Sequence, residues 1–81
     1  MNEHAAQVMA AVLRAYLNGF RETESIRAEV AGEIGLELEP EQIDHVRSTA
    51  RRCGFVERGR LTDYGYRHLC QIRRQLAESR A

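Results

Sequence analysis

The sequence predicts a small, mainly α-helical domain: three helices, a very short β-hairpin and a C-terminal helix. Three observations predict it. Apolar residues recur at three- and four-residue spacing through most of the chain, as in helices that bury one face. Glycines and the single proline stand where those stripes end and begin, the places where helices stop and start. The period breaks once, after Gly54, where two short β-type runs flank Arg58-Gly59.

The first helix is expected over residues 3–18. Met9, Val12, Leu13, Tyr16, Leu17 and Phe20 form its stripe, and Gly19 its stop. The second starts near Thr23 or Ser25, either of which can cap it. Ile26, Val30 and Ile34 face the core, and Gly35 ends the helix. Leu36-Glu37-Leu38-Glu39 is the connection. Pro40 opens the third helix, where its missing N–H is harmless, and Ile43, Val46, Ala50 and Cys53 form the inner face. Gly54 stops it. Phe55-Val56-Glu57 and Arg60-Leu61-Thr62 read as two short strands around a turn at Arg58-Gly59, with Gly59 supplying positive φ. Thr62 caps the last helix, Asp63 stands in its first turn, and Leu69, Ile72 and Leu76 give an apolar seam that ends near Ser79.

Eighty-one residues suit one domain, residues 1–81, with little room for a deep cleft. No apolar run reaches the roughly 18 residues of a membrane span, and the first residues lack the positive start of a signal peptide. A cytoplasmic protein is the expectation. The two cysteines, Cys53 and Cys70, match no common thiol or metal spacing and are expected to be small apolar residues, Cys53 inside. His4, His45 and His68 are scattered, so no metal site is expected. There is no glycine-rich phosphate loop, nucleophile elbow or zinc-protease motif, so neither an enzyme nor a cofactor is expected.

The formal net charge is zero, but the halves differ. Residues 1–44 hold three arginines and nine acids; residues 45–81 hold nine arginines and three acids. The second half attracts nucleic acid and the first repels it. Every basic residue is arginine, which binds phosphate and guanine through two parallel hydrogen bonds.

Two helices joined by a short turn and followed by a hairpin is an architecture that reads DNA. The residues carrying a family likeness lie between Ile26 and Leu69. Ile26-Arg27-Ala28-Glu29-Val30 with Ile34-Gly35-Leu36 has the pattern of a second helix and turn, and residues 40–52 that of a recognition helix. Gly54-Phe55-Val56-Glu57-Arg58 and Leu61-Thr62-Asp63-Tyr64-Gly65 match the sequences that enter and leave a wing. This stretch resembles the winged helix-turn-helix superfamily of bacterial regulators, such as the MarR-like, PadR-like and ArsR-like proteins.

The resemblance implies a DNA-binding transcriptional regulator that inserts its third helix into the major groove of double-stranded DNA. Gln42, His45, Ser48 and Thr49 would then face base edges, while Arg47, Arg51, Arg52, Arg58 and Arg60 would hold phosphates. A homodimer through the C-terminal helix would use Tyr66, Leu69, Ile72 and Leu76; the alternative for the same seam is packing on the first helix, and the two are compatible. Two features depart from the pattern: the wing is only a few residues long, and Glu33, Glu37, Glu39, Glu41 and Asp44 make the leading turn acidic. They motivate an alternative, a winged-helix protein-interaction module of the phage or mobile-element accessory kind, binding a host protein through its acidic surface. A head-to-tail oligomer that neutralises the two halves is a third option.

Overall fold

The computed structural model describes residues 3–79. The chain runs α1 (Glu3–Leu17), α2 (Thr23–Ile34), α3 (Pro40–Arg52), β1 (Val56–Glu57), β2 (Arg60–Leu61) and α4 (Asp63–Ser79). It is a mainly α fold of four helices with one two-stranded antiparallel hairpin, in which Val56 pairs with Leu61 and Glu57 with Arg60. Among the described residues no helix is long and apolar enough to cross a membrane.

Glycine punctuation acts through geometry at two helix ends. After α1, Gly19 takes φ +94°, the Phe20 N–H reaches the Ala15 carbonyl (3.0 Å) and the Gly19 N–H reaches that of Tyr16 (3.0 Å). After α3, Gly54 takes φ +79°, and the Phe55 and Gly54 N–H groups reach Ala50 (2.9 Å) and Arg51 (3.1 Å). Both are Schellman stops, which satisfy the last carbonyls of a helix and turn the chain back on itself. Each returns an aromatic residue toward the core, Phe20 partly and Phe55 fully.

The starts of α2 and α3 differ from a simple hydroxyl cap. Glu22, extended at φ −92°, occupies the cap position of α2 without a side-chain hydrogen bond. Thr23 lies one residue inside the helix, and its hydroxyl turns to α3 instead, donating to the Asp44 carboxylate (2.6 Å). Pro40 stands in the first turn of α3 as expected, and the Gln42 side chain reaches back to accept from the Glu39 N–H (2.8 Å).

The core is centred on α1. Val8, Met9, Ala10, Ala11, Val12, Leu13, Ala15 and Tyr16 are all buried, and α1 touches α2, α3, α4 and β2. Leu17, expected on the inner face, is 49% exposed in the last turn. Alanines at positions 10, 11 and 15 let neighbours approach α1 from several sides, so it is enclosed rather than half-buried. Ile26 and Val30 of α2, Leu38 of the connection, Ile43 and Ala50 of α3, Phe55 and Val56 of the hairpin, and Leu69 and Ile72 of α4 complete the core.

Leu69 and Ile72 are 1% and 2% exposed, so they belong to this chain's own core and not to a seam between two copies. Leu76 packs partly against the same core, and of the four expected seam residues only Tyr66, at 50%, presents a large surface. Cys53 is also corrected: it and Cys70 are exposed free thiols. Cys53 is the residue at which α3 ends, and the chain leaves through Gly54 before another turn can cover it.

The hairpin is tied to α4 by one residue. Thr62 donates its N–H to the Phe55 carbonyl (2.9 Å) and its hydroxyl to the Gly54 carbonyl (2.7 Å). The same hydroxyl accepts the Gly65 N–H (2.9 Å), capping α4. Gly65 then passes so close to Phe55 that an added Cβ would stand 2.1 Å from the Phe55 carbonyl oxygen.

Candidate nucleic-acid interface

The expected reading residues fall on two sides of α3. At about 100° per residue, Asp44, His45, Ser48, Arg51 and Arg52 project away from the Ile43 and Ala50 face, with Gln42 and Thr49 to one side and Arg47 to the other. His45, Arg51 and Arg52 are exposed, and Ser48 and Thr49 are half-buried. Two hydroxyls are engaged within the helix. Ser48 lies 3.4 Å from an Arg51 guanidinium nitrogen, while Thr49 donates to the His45 carbonyl (3.1 Å) and accepts from Arg52 (3.2 Å). These contacts splay Arg51 and Arg52 along the outer face of the last turns. Gln42, exposed, holds the helix start through the Glu39 N–H.

Arg47 is not a free phosphate ligand. Its side chain is only 17% exposed and points inward. Its Nε donates to the Tyr16 hydroxyl (2.8 Å), Nη2 to the Arg21 carbonyl (2.7 Å), and Nη1 to the Thr23 hydroxyl beside the Asp44 carboxylate (3.5 Å). A guanidinium presents five donors in a rigid fork, which suits it to join α1, the loop after it, and α3. Sequence spacing placed Arg47 on the rim of α3; only the arrival of Tyr16 and the loop carbonyl decides which way it turns.

The charged residues separate along the fold. Ion pairs among the described residues include Arg14 and Arg73 with Glu33 (3.4 and 3.6 Å), Arg27 with Glu24 (3.5 Å), and Arg47 with Asp44 (3.5 Å). Arg51, Arg52, Arg58 and Arg60 are exposed, and none is paired with a described carboxylate. Two acids of the expected acidic turn, Glu33 and Asp44, are therefore held by arginines, while Glu37, Glu39 and Glu41 are exposed around the start of α3 and form no ion pair among the described residues.

The hairpin turn holds both Arg58 (φ +54°) and Gly59 (φ +74°) in the left-handed region, as a two-residue turn of this hand requires. Arg21, from the loop after α1, lays its side chain over this turn: its Cδ is 3.4 Å from where a Cβ on Gly59 would stand. Sequence reasoning missed Arg21, one of three arginines among the nine acids of the first half. Two sequence features bore on it: the Gly19 stop, which makes a loop there, and Gly59, which leaves room above the turn.

Two further features flank the interface. His68 stacks on Phe55 (centroids 4.2 Å, planes 13° apart), and its Nε2 is buried without a partner. Burial of the ring pushes its pKa below the usual 6.5. Tyr64, 60% exposed, also lies against Phe55, its ring tilted by 36° at a centroid distance of 5.3 Å. Between the start of α1 and α3 runs an open groove of about 500 Å³, floored by Val8, Met9, Leu38 and Val46 with Glu41 and His45 on its rim. No group of three or more potential metal ligands clusters among the described residues. Compared with known proteins, the chain matches no family model, no curated protein and no solved structure.

Proposed function

We propose that this chain is a winged helix-turn-helix module that binds double-stranded DNA as a regulator, with α3 in the major groove and the hairpin against the phosphate backbone. The carrying observation is the set of four exposed arginines, Arg51, Arg52, Arg58 and Arg60, at the end of α3 and on the adjoining hairpin, unpaired with any described carboxylate. Arginines left to solvent on adjoining elements suit a polyanion. The connection between α2 and α3, and the hairpin that follows directly, support the docking arrangement.

The separation of charge sets the pose. Glu37, Glu39 and Glu41 keep phosphates away from the start of α3, so the C-terminal half of the helix and the hairpin make the close approach. His45, Ser48 and Thr49 are then the side chains nearest base edges, and Gln42 contributes less because it holds the helix start. Fluorescence anisotropy with a random 30-base-pair duplex, titrated across salt, tests this. Four phosphate contacts predict a slope of log affinity against log salt of about −3.6. An absence of binding at low salt removes the proposal.

A second reading, a module that binds a protein partner, is favoured by Glu37, Glu39 and Glu41, which form no ion pair among the described residues, together with the apolar groove of Val8, Met9, Leu38 and Val46 that Glu41 lines. Replacing the three acids by glutamine separates the readings. Under the DNA reading the triple variant binds duplex more tightly, since a repulsion is gone. Under the partner reading its duplex binding stays absent.

A further inference from the structure

Arg21 joins two hairpin arginines although the chain places it far from them. Its Cγ, Cδ and Nε pass over Gly59, between Arg58 and Arg60 in sequence. Among the described residues none of these three side chains makes an ion pair or a side-chain hydrogen bond, even with Glu22 next to Arg21 and Glu57 opposite Arg60. Arg21 thus reaches the turn that Arg58 and Arg60 flank, and three arginines carried to one turn with no carboxylate paired to them suit an anion.

The loop that carries Arg21 is held from below. Arg47 donates to the Arg21 carbonyl (2.7 Å) and, through the same guanidinium, to Tyr16 in α1 and Thr23 in α2. The buried arginine therefore fixes the backbone from which the exposed one reaches the hairpin. We propose that Arg21, positioned by Arg47, completes with Arg58 and Arg60 a phosphodiester clamp at the hairpin turn. The inference rests on the DNA reading and adds to it a contact from the acidic half of the chain, together with the residue that sets it.

The test is the salt dependence of duplex binding by the full chain and the variants Arg21→Ala, Arg47→Gln and the double variant. Losing one phosphate contact reduces the slope by about 0.9, so between 50 and 200 mM salt Arg21→Ala loses about threefold less affinity than the wild type. Its thermal melting is unchanged, because its side chain is exposed. Arg47→Gln shows the same reduced slope, and the double variant adds nothing further to it. Wild-type binding with an undiminished slope for Arg21→Ala overturns the clamp and leaves the DNA reading standing. Arg47→Gln melting lower with the full wild-type slope overturns the positioning role alone. If the wild type fails to bind duplex at low salt, the DNA reading falls and the clamp with it.

Discussion

Gly65 shows how a single missing Cβ joins two elements. In a helix, glycine costs about 1 kcal/mol relative to alanine, so replacement by alanine would ordinarily stabilise. At Gly65 the new methyl would stand 2.1 Å from the Phe55 carbonyl oxygen and 2.9 Å from Leu61 Cδ1, and the first of these is backbone that cannot swing aside. Gly65→Ala is therefore expected to destabilise by about 3 kcal/mol, the upper end of ordinary overpacking. Gly32→Ala, in α2 with nothing within 4 Å of the added carbon, should stabilise by about 1 kcal/mol. Urea denaturation of the pair checks both signs; equal effects would mean that the close approach at Gly65 does not hold. His68 makes a second prediction at this scale. Its pKa is lowered in the fold by burial, so the unfolded chain binds more protons below pH 6.5. The contribution of His68 is complete above that pH and is lost as pH falls toward the folded pKa. Melting temperatures measured from pH 7.5 downward should fall less steeply for His68→Phe than for the wild type.

At the scale of elements, the hairpin is the part held by the fewest interactions of its own. Two residues in each strand give little cross-strand packing, and the turn places an arginine at positive φ. Asparagine adopts that region more readily, so Arg58→Asn should raise stability by about 0.5 kcal/mol in urea titration. On the DNA reading the same change removes a phosphate contact and lowers duplex affinity, so stability and binding move in opposite directions. No rise in stability would indicate that the turn is not strained at Arg58. What keeps so short a hairpin in place is the pair of residues after it. Thr62 bonds back to Gly54 and Phe55, and Gly65 lets α4 press on the same carbonyl. The Leu-Thr-x-x-Gly pattern thus has a local meaning: the threonine begins the helix and the glycine admits the hairpin.

At the scale of the whole molecule, α4 closes the core by packing along α1. Leu69 and Ile72 pack inside the chain. Leu69→Ala is accordingly expected to cost about 2–5 kcal/mol, as for other buried leucines. The loss should not vary with protein concentration; a loss that shrank as concentration rose would place Leu69 between copies instead. Charge is also a property at this scale. The two halves of the sequence carry opposite charge, and the fold pairs them across its surface at only two places, Glu33 with Arg73 and Asp44 with Arg47. It neutralises Glu33 with Arg14 and Arg73 and Asp44 with Arg47, and leaves the arginines at the end of α3 and on the hairpin free.

The number and order of the elements and most of their ends were legible in the sequence, because those ends are made by neighbours in the chain; the start of α2 was not, since the Thr23 hydroxyl turns to Asp44 on α3 instead of capping. Gly19, Gly35 and Gly54 take the left-handed conformation within their own turn, Pro40 fits the first turn of α3, and Thr62 caps the helix it precedes. Tertiary structure alone decided which surfaces meet. A stripe marks a face to be buried but does not say against what, so the α4 seam read equally as core or as an interface. Spacing gave the angle of Arg47 on α3, but Tyr16 and the Arg21 carbonyl, 31 and 26 residues away, turned it inward. The candidate site was legible where it lay within a continuous segment, as with Arg51, Arg52, Arg58 and Arg60. It was illegible at Arg21, whose place beside Gly59 depends on two loops far apart in the chain that only the tertiary fold brings together.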